Sequence, residues 1–582
     1  GSLTKLGNGT LTLTGTNTYT GGSTLSAGTL SLGSAGGLGT TGTISLSGGT
    51  LQYSANNTTD YSNRFSAADN QQYRIDTNNQ SITYASNLSS LGGSLTKLGN
   101  GTLTLTGTNT YTGDTTISTG TLTIGGAGSL GSGSYAGNIA DNGSLVFNTN
   151  VSQTLSGVIS GNGSLTQSGA GTLTLTGANT YTGDTTVSAG TLIVQNDAPT
   201  SASAFYGPGR LLIQSNASSF ANDFSTMGWR FGSSLGGLTL GRATNTANIT
   251  LGSAASIAGD ITIYGGNIAL QNALTATSGG IIRLQATNGA ITQNASGVIT
   301  SGELALLGGN ATLNNASNNV HTLAADHMGR PSFVNHGNLT VASVNPSGTS
   351  SNGTIRISTE TGNLSITEAI ITSSTETDAI VLNAGSNIAA GTATGGNILI
   401  SGNGSVSVGN GGRATLYTGS IAESIGVTNL VGNGSGHFRY NSNASVANYN
   451  TTAAALDAGI YAIYREQPTL TVTAQDATGI YGTSPVITLG SSAVNGDSLI
   501  QILGTTPSTA IGGNTSTGGY YTVGNHSLTP AGATLTLLGY AAPNYVSGTL
   551  TVTPKTLTVD GTAISSKTYD GTSVASVSNG TL

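Results

Sequence analysis

Leucine and threonine alternate in Thr10-Leu11-Thr12-Leu13-Thr14, a period of two that puts apolar side chains on one face of a strand and hydroxyls on the other. Gly15, Asn17, Gly21, Gly22 and Gly28 follow at intervals too short for a helix of useful length. Leu25, Leu30 and Leu32 supply further apolar positions after those turns. The same grammar returns in looser form at Ile261-Thr262-Ile263-Tyr264-Gly265-Gly266-Asn267-Ile268-Ala269-Leu270, at Gly280–Leu284 and at Gly396–Ile400. No stretch sustains an apolar stripe of period 3.6. Thr452–Gly459 comes closest and predicts two helical turns.

One phrase, G-T-L-T-L-T-G-x-N-T-Y-T-G-x-x-T-x-S-x-G-T-L, occurs at Gly9–Leu30, Gly101–Leu122 and Gly171–Leu192, with 17 of its 22 positions identical in all three copies. Self-similarity of this kind marks a solenoid or an array. The copies start 92 and then 70 residues apart, intervals that differ by 22, the length of the phrase. Twenty-two residues therefore correspond to about one coil of a winding chain, with one extra coil between the first two copies.

Composition sharpens this picture. Charged residues make up 6% of the 582, against about 25% in typical soluble proteins, and Ser, Thr and Asn stand where Lys and Glu usually do. Hydrophobic residues are 36% and the net charge is only −7, so the composition is not that of a disordered tract. There is no cysteine, which removes disulfides, thiolate catalysis and cysteine-ligated zinc, and which suits a chain that crosses a membrane unfolded. Fifteen scattered Lys and Arg form no basic patch for nucleic acid. No apolar run reaches the ~18–20 residues that span a bilayer. Gly1 opens inside a repeat and Ser578–Leu582 stops mid-pattern, so the chain is expected to be a piece of a longer protein without its signal peptide.

Short strands, Gly and Asn corners and a period near 22 predict an all-β protein: a right-handed parallel β-helix followed by small β-rich modules. At about 4.8 Å per coil, the first ~450 residues would form a rod of order 100 Å. Residues 1–196 are expected to hold the regular β-helix and 197–455 a less regular continuation. Residues 456–467 are expected to be a cap or linker, 468–554 a small β module, and 555–582 the start of a second.

The phrase ending N-T-Y-T-G-G-S-T or N-T-Y-T-G-D-T-T resembles the autotransporter-associated β-strand repeat of secreted bacterial passenger regions. The looser middle is similar to the repeat regions of filamentous-haemagglutinin-type adhesins. Ile480-Tyr481-Gly482-Thr483-Ser484-Pro485 with Pro543-Asn544-Tyr545 resembles the Y-G-x-x-P modules of large bacterial surface proteins, and Lys567-Thr568-Tyr569-Asp570-Gly571-Thr572 resembles their Y-D-G companion. The resemblance implies an exported stalk displayed on the outer membrane of a Gram-negative cell or released from it. It implies an outer-membrane translocator as export partner and host-cell, bacterial or glycan ligands, and it brings neither a catalytic residue set nor a cofactor.

Candidate chemistry is sparse. Glycoside hydrolysis needs two carboxyl groups roughly 5–10 Å apart. Glu376 and Asp378, two apart in the densest acidic stretch, would share a face of a strand, so they are the alternative catalytic pair of a polysaccharide-active β-helix. His321, His327 and His336 with Asp326 could be drawn as a metal site, but their spacing matches no ligand pattern and a loop interrupting the solenoid is favoured. Asp114 and Asp184 occupy equivalent phrase positions, where a turn-stabilising role is favoured over calcium. Flat threonine ladders can bind ice, but that requires the motif on every coil of one face, and the long T-L-T-L-T runs come once per 70–92 residues with only shorter echoes between.

The densest aromatic group, Phe438, Tyr440, Tyr449, Tyr461 and Tyr464 with Arg439 and Arg465, has the composition of a binding patch. It also has that of a plug for the open end of a solenoid, whose exposed edges must be capped, and the plug is favoured. Trp229, the only tryptophan, is expected to pack in a broken coil.

Overall fold

The structure, a computed structural model, describes residues 1–196, 204–287, 289–535, 537–556, 558, 563–564 and 577–578. The Y-D-G motif at 567–572 lies outside the described residues. Strand accounts for 45% of the molecule and helix for 3%, and the strands wind into a parallel β-solenoid of about 21 turns. Two compact units are distinguished: residues 1–387 with 395–415, and residues 388–394 with 416–582.

The first unit is built from three rows of parallel strands that the chain visits in turn. One coil runs from Ser94–Leu98 through Thr102–Leu105 and Thr108–Asn109 to Thr115–Ile117. Each strand pairs with its counterpart one coil on: Thr102 with Thr121, Thr121 with Ser144, and Ser144 with Ser164. Alternation decides what faces inward. Ile82, Leu103, Leu122, Leu145 and Leu165 stack in one buried column, and burying each such side chain stabilises by about 1.5–3 kcal/mol. The outward partners are Ser and Thr, with Val146 as the exception. Past the end of the repeated phrase the strand row continues among the described residues, with Thr191–Gln195 paired in register with Arg210–Gln214. The rows continue to Ala369–Thr372 on Ser405–Ser407, with longer excursions such as that between Leu364 and its partner Ile398.

The rows reveal how the repeats are arranged. From Thr10 the pairings lead through Thr29, Thr50 and Arg74 to Thr96, four coils on and six residues short of Thr102, the equivalent of Thr10 in the second copy. From Thr102 three coils lead to Ser164, eight residues short of Thr172. The intervals of 92 and 70 residues thus differ by one coil, but each also contains about a third of a turn. Consequently the opening strands Thr10–Leu13, Thr102–Leu105 and Thr172–Leu175 lie in three different rows.

The expected helix at Thr452–Gly459 does not form. Asn450 Oδ1 accepts from the backbone N–H of Thr452 and of Ala453, and the Arg439 guanidinium takes the carbonyls of Ala454 and Ala455. The Asn450 bonds are those of a helix N-cap, and Ala454 N–H bonds the Asn450 carbonyl, but Arg439 holds the carbonyls of Ala454 and Ala455 that a second turn would need. Among the described residues the α-helices are Val427–Val431 and Leu499–Ile502, the latter opened by a Ser498/Gln501 capping box.

In the second unit Phe438–Arg439 pairs in parallel with Gly459–Tyr464. Beyond it, Thr469–Ala474 lies between Leu489–Ser491 (antiparallel) and Ala541–Val546 (parallel). Gly548–Thr553 joins Ala477–Ile480 in parallel and Gly524–Ala531 antiparallel. Ala474, Leu528, Leu550 and Val552 form the buried cluster between these strands. This mixed pairing is unlike the coils of the first unit.

Candidate binding surface

One row of the first unit presents an ordered outer face. Its strands offer the outward pairs Ser81 and Thr83, Thr102 and Thr104, Thr121 and Thr123, Ser144 and Val146, and Ser164 and Thr166, stacked in continuous register. Every one of these positions is exposed or half-buried, and Val146 alone lacks a hydroxyl. The column of Thr166 continues to Thr186 and then to the exposed Tyr206. The shorter echoes between long T-L-T-L-T runs fill the coils that those runs leave, because each copy of the phrase is turned onto a different row.

Asn and Asp at the corners tie one coil to the next. Asp114 Oδ1 accepts from the N–H of Asn138 at 2.8 Å, and Asn138 Oδ1 accepts from the N–H of Val158 at 3.0 Å. Asp223, Asn248 and Asn267 do the same for Asn248, Asn267 and Ala290. Asp184 Oδ1 reaches the N–H of Ala204 at 3.4 Å. Both phrase aspartates therefore sit where a coil-to-coil backbone bond can be made.

Glu376 and Asp378 do not share a strand face; they occupy the turn before Ile380–Ala384. Glu376 pairs with Arg330 at 2.8 Å, and Asp378 pairs with Arg356. Each carboxylate is thus neutralised by its own arginine at the surface. His321 and Asp326 lie in the ten-residue strand Asn319–Met328, so this stretch is part of the solenoid and not a loop. His327 Nδ1 sits 2.7 Å from Asp326 and His336 Nδ1 3.5 Å from Glu360, which separates the histidines among different carboxylates. Among the described residues no group of three His, Cys, Asp or Glu could hold a metal ion.

The aromatic group is brought together inside the second unit. Phe438, Arg439, Tyr440, Tyr461, Tyr464 and Arg465 are all buried, and only Tyr449 is half-exposed. The guanidinium of Arg439 lies between the rings of Tyr449 and Tyr461, 5.6 and 5.3 Å from their centroids. Tyr440 stacks on Tyr464 at 5.7 Å and donates to Asp497 Oδ2, which also accepts from Tyr540. Burial encloses all of this cluster except the half-exposed ring of Tyr449, and composition alone could not separate a patch from a plug. In the first unit Trp229 is buried, stacked on Phe205 and set edge-on against Phe224.

Two polar features inside the coils were not singled out from the sequence. Lys97 is fully buried, and its Nζ donates to the carbonyls of Leu98, Gly99 and Thr119. Lys5 makes the equivalent bonds to Leu6, Gly7 and Ala27, and Gln167, at the same place in the third copy, donates to Gly169 and Gly171. Burial lowers the Lys97 ammonium to about 8, against the opposing charge of Asp76. Asp141 is buried as well, and burial raises its carboxyl to about 6, opposed by the bond from the Gly143 N–H. The signal was a charged or amide residue at an inward-facing position of a strand, for Lys97 inside the repeat and for Asp141 between two copies.

The stretches that hold Lys5, Lys97 and Gln167 are the ones that recur. A family model matches them. It is the passenger-associated-transport-repeat, matched at residues 3–32, 95–124 and 165–194. Each match begins six residues before the phrase and so includes Lys5, Lys97 and Gln167. The chain is similar to a passenger-type repeat over these three stretches. No curated protein and no solved structure matches the chain.

Proposed function

We propose that this chain is the stalk of an exported adhesin, displayed at or released from the outer membrane and delivered by a translocator. The observation that carries the reading is the passenger-type repeat on a parallel solenoid whose outer face is hydroxyl and amide. Such a surface has no single strong site. It makes many weak hydrogen bonds with cells, matrix or glycans, and repetition multiplies them into avidity. The looser middle and the Y-G-x-x-P module belong to the same reading as further lengths of a large surface protein. The action is binding and reach, with no catalytic step, and the separate pairing of Glu376 and Asp378 with arginines supports this.

The test is display of residues 1–582 on a non-adherent bacterium, followed by counting cells retained on host-matrix and glycan surfaces. Retention that rises steeply with display density supports multivalent adhesion. Retention equal to that of the undisplayed strain on every surface leaves a spacer, and release of reducing sugar, abolished in Glu376→Gln, would establish the enzyme instead.

A further inference from the structure

We infer that the outer face running from Ser81 to Thr166 is an ice-binding surface, with crystalline water as its ligand. Across five consecutive coils it presents two parallel columns, Ser81, Thr102, Thr121, Ser144, Ser164 and Thr83, Thr104, Thr123, Val146, Thr166. Rows in such a sheet are about 4.8 Å apart and residues i and i+2 about 6.6 Å apart. The array is therefore regular in two dimensions, and its spacings are set by backbone hydrogen bonding.

Three properties select a lattice of water over other occupants. The ten positions carry no formal charge, so nothing favours an acidic or basic partner. Threonine is β-branched and stiff at χ1, so its hydroxyl and methyl are ordered before the ligand arrives, which lowers the entropy lost on binding. A rigid, repeating ligand profits from that order in both directions, whereas a flexible glycan chain profits in one. The Ser164 hydroxyl donates to that of Ser144 at 3.2 Å, so neighbouring rows already lie within one hydrogen-bond network. At one end the Thr186 column meets Tyr206, whose ring breaks the pattern and bounds the face.

The rotation of the repeats supplies the control. Thr12 and Thr104 are equivalent in the phrase, but Thr12 lies in another row, whose coils run Thr10 and Thr12, Thr29 and Ser31, then Thr50 and Gln52, and so lose the pattern. The experiment follows the growth of single ice crystals and the coarsening of polycrystalline ice in the presence of the full chain. Faceted crystals and slowed coarsening are expected. Thr104→Tyr should weaken the inhibition about tenfold, since the contacts of an array act together, while Thr12→Tyr should leave it unchanged. Circular dichroism checks that each variant keeps its strands, and Thr166→Tyr carries the test if Thr104→Tyr does not fold. Unaltered ice growth with the native chain would overturn the inference. So would equal losses in Thr12→Tyr and Thr104→Tyr, or retention on a neutral polysaccharide that Thr104→Tyr abolishes without any effect on ice.

Discussion

Tyr111 Oη and Thr115 Oγ1 lie 2.7 Å apart inside the solenoid, and the same bond recurs between Tyr19 and Ser23 and between Tyr181 and Thr185. This explains why Tyr is fixed in the phrase and why a hydroxyl follows four residues later. In the second copy Thr115 also meets Tyr135 Oη at 2.8 Å, so the bond extends to the next coil. A phenol turned inward must find a partner, because a buried hydroxyl left alone costs about 1–3 kcal/mol. Tyr111→Phe removes the group and leaves Thr115 with one partner, so a loss of about 1 kcal/mol is expected. Urea denaturation of the two chains, followed by circular dichroism, measures it.

Gly120 has φ +70°, and a Cβ there would lie 2.5 Å from the carbonyl oxygens of both Gly99 and Gly101. Gly28 and Gly190 repeat this situation in the other two copies. Gly120→Ala combines a left-handed conformation with a collision against backbone that cannot yield, and a loss of about 3 kcal/mol or more is expected. Gly9 is open on all sides at ordinary φ, so Gly9→Ala should change stability by no more than about 0.5 kcal/mol. Equal melting temperatures for the two variants would contradict the assignment of these corners.

These elements show what could be read before any coordinates. Alternating Thr and Leu is a local signal, and it correctly places Leu103 and Leu122 in the core and Thr104 and Thr123 outside. The rotation of the copies is not local. It depends on coils whose lengths vary, 19 residues from Thr102 to Thr121 and 23 from Thr121 to Ser144, so no single period could reveal that Thr12 and Thr104 sit in different rows. Glu376 and Asp378 followed the period-two rule on paper, but Ser374 and Glu376 belong to a turn, where that rule does not apply. The aromatic group was legible as a cluster. Its burial was not, because it depends on Asp497 and Tyr540, distant in sequence, packing against Tyr440.

Lys97 gives the solenoid a signature at alkaline pH. Its folded value of about 8 lies below the ordinary 10.5, so between those values the unfolded chain binds more protons than the folded one. Stability then rises as pH increases through that window. The tyrosines act oppositely above about 10, where unfolded phenols ionise and the buried ones, Tyr135 and Tyr181 among them at about 12, do not. The gain from Lys97 is therefore to be sought between pH 8 and about 9.5. Lys97→Gln copies the third repeat, keeps donors for the glycine carbonyls, and should flatten the slope without loss of fold. Lys97→Met strands the carbonyls of Gly99 and Thr119, while Leu98 keeps its bonds from Thr77, and should destabilise at every pH, by about 1–3 kcal/mol for each left unsatisfied.

Asp141 produces the converse effect on the acid side. Its carboxyl titrates near 6 when folded and near 3.8 when unfolded, so the folded chain holds the extra proton between these values. The stabilising contribution is complete below about pH 3.8 and disappears as pH rises through 6. Asp141 faces inward in the same column as Ile117 and Lys97, two coils from that lysine, with Gly163 packed directly on its carboxylate. Asp141→Asn keeps an acceptor for the Gly143 N–H and removes the ionisation. The native chain should melt at a higher temperature at pH 5 than at pH 7. In Asp141→Asn that difference should shrink, with the gain appearing at pH 7. An unchanged difference would place the acid-side titration on another group, the buried Asp497 being the first to test, since burial raises its carboxyl too.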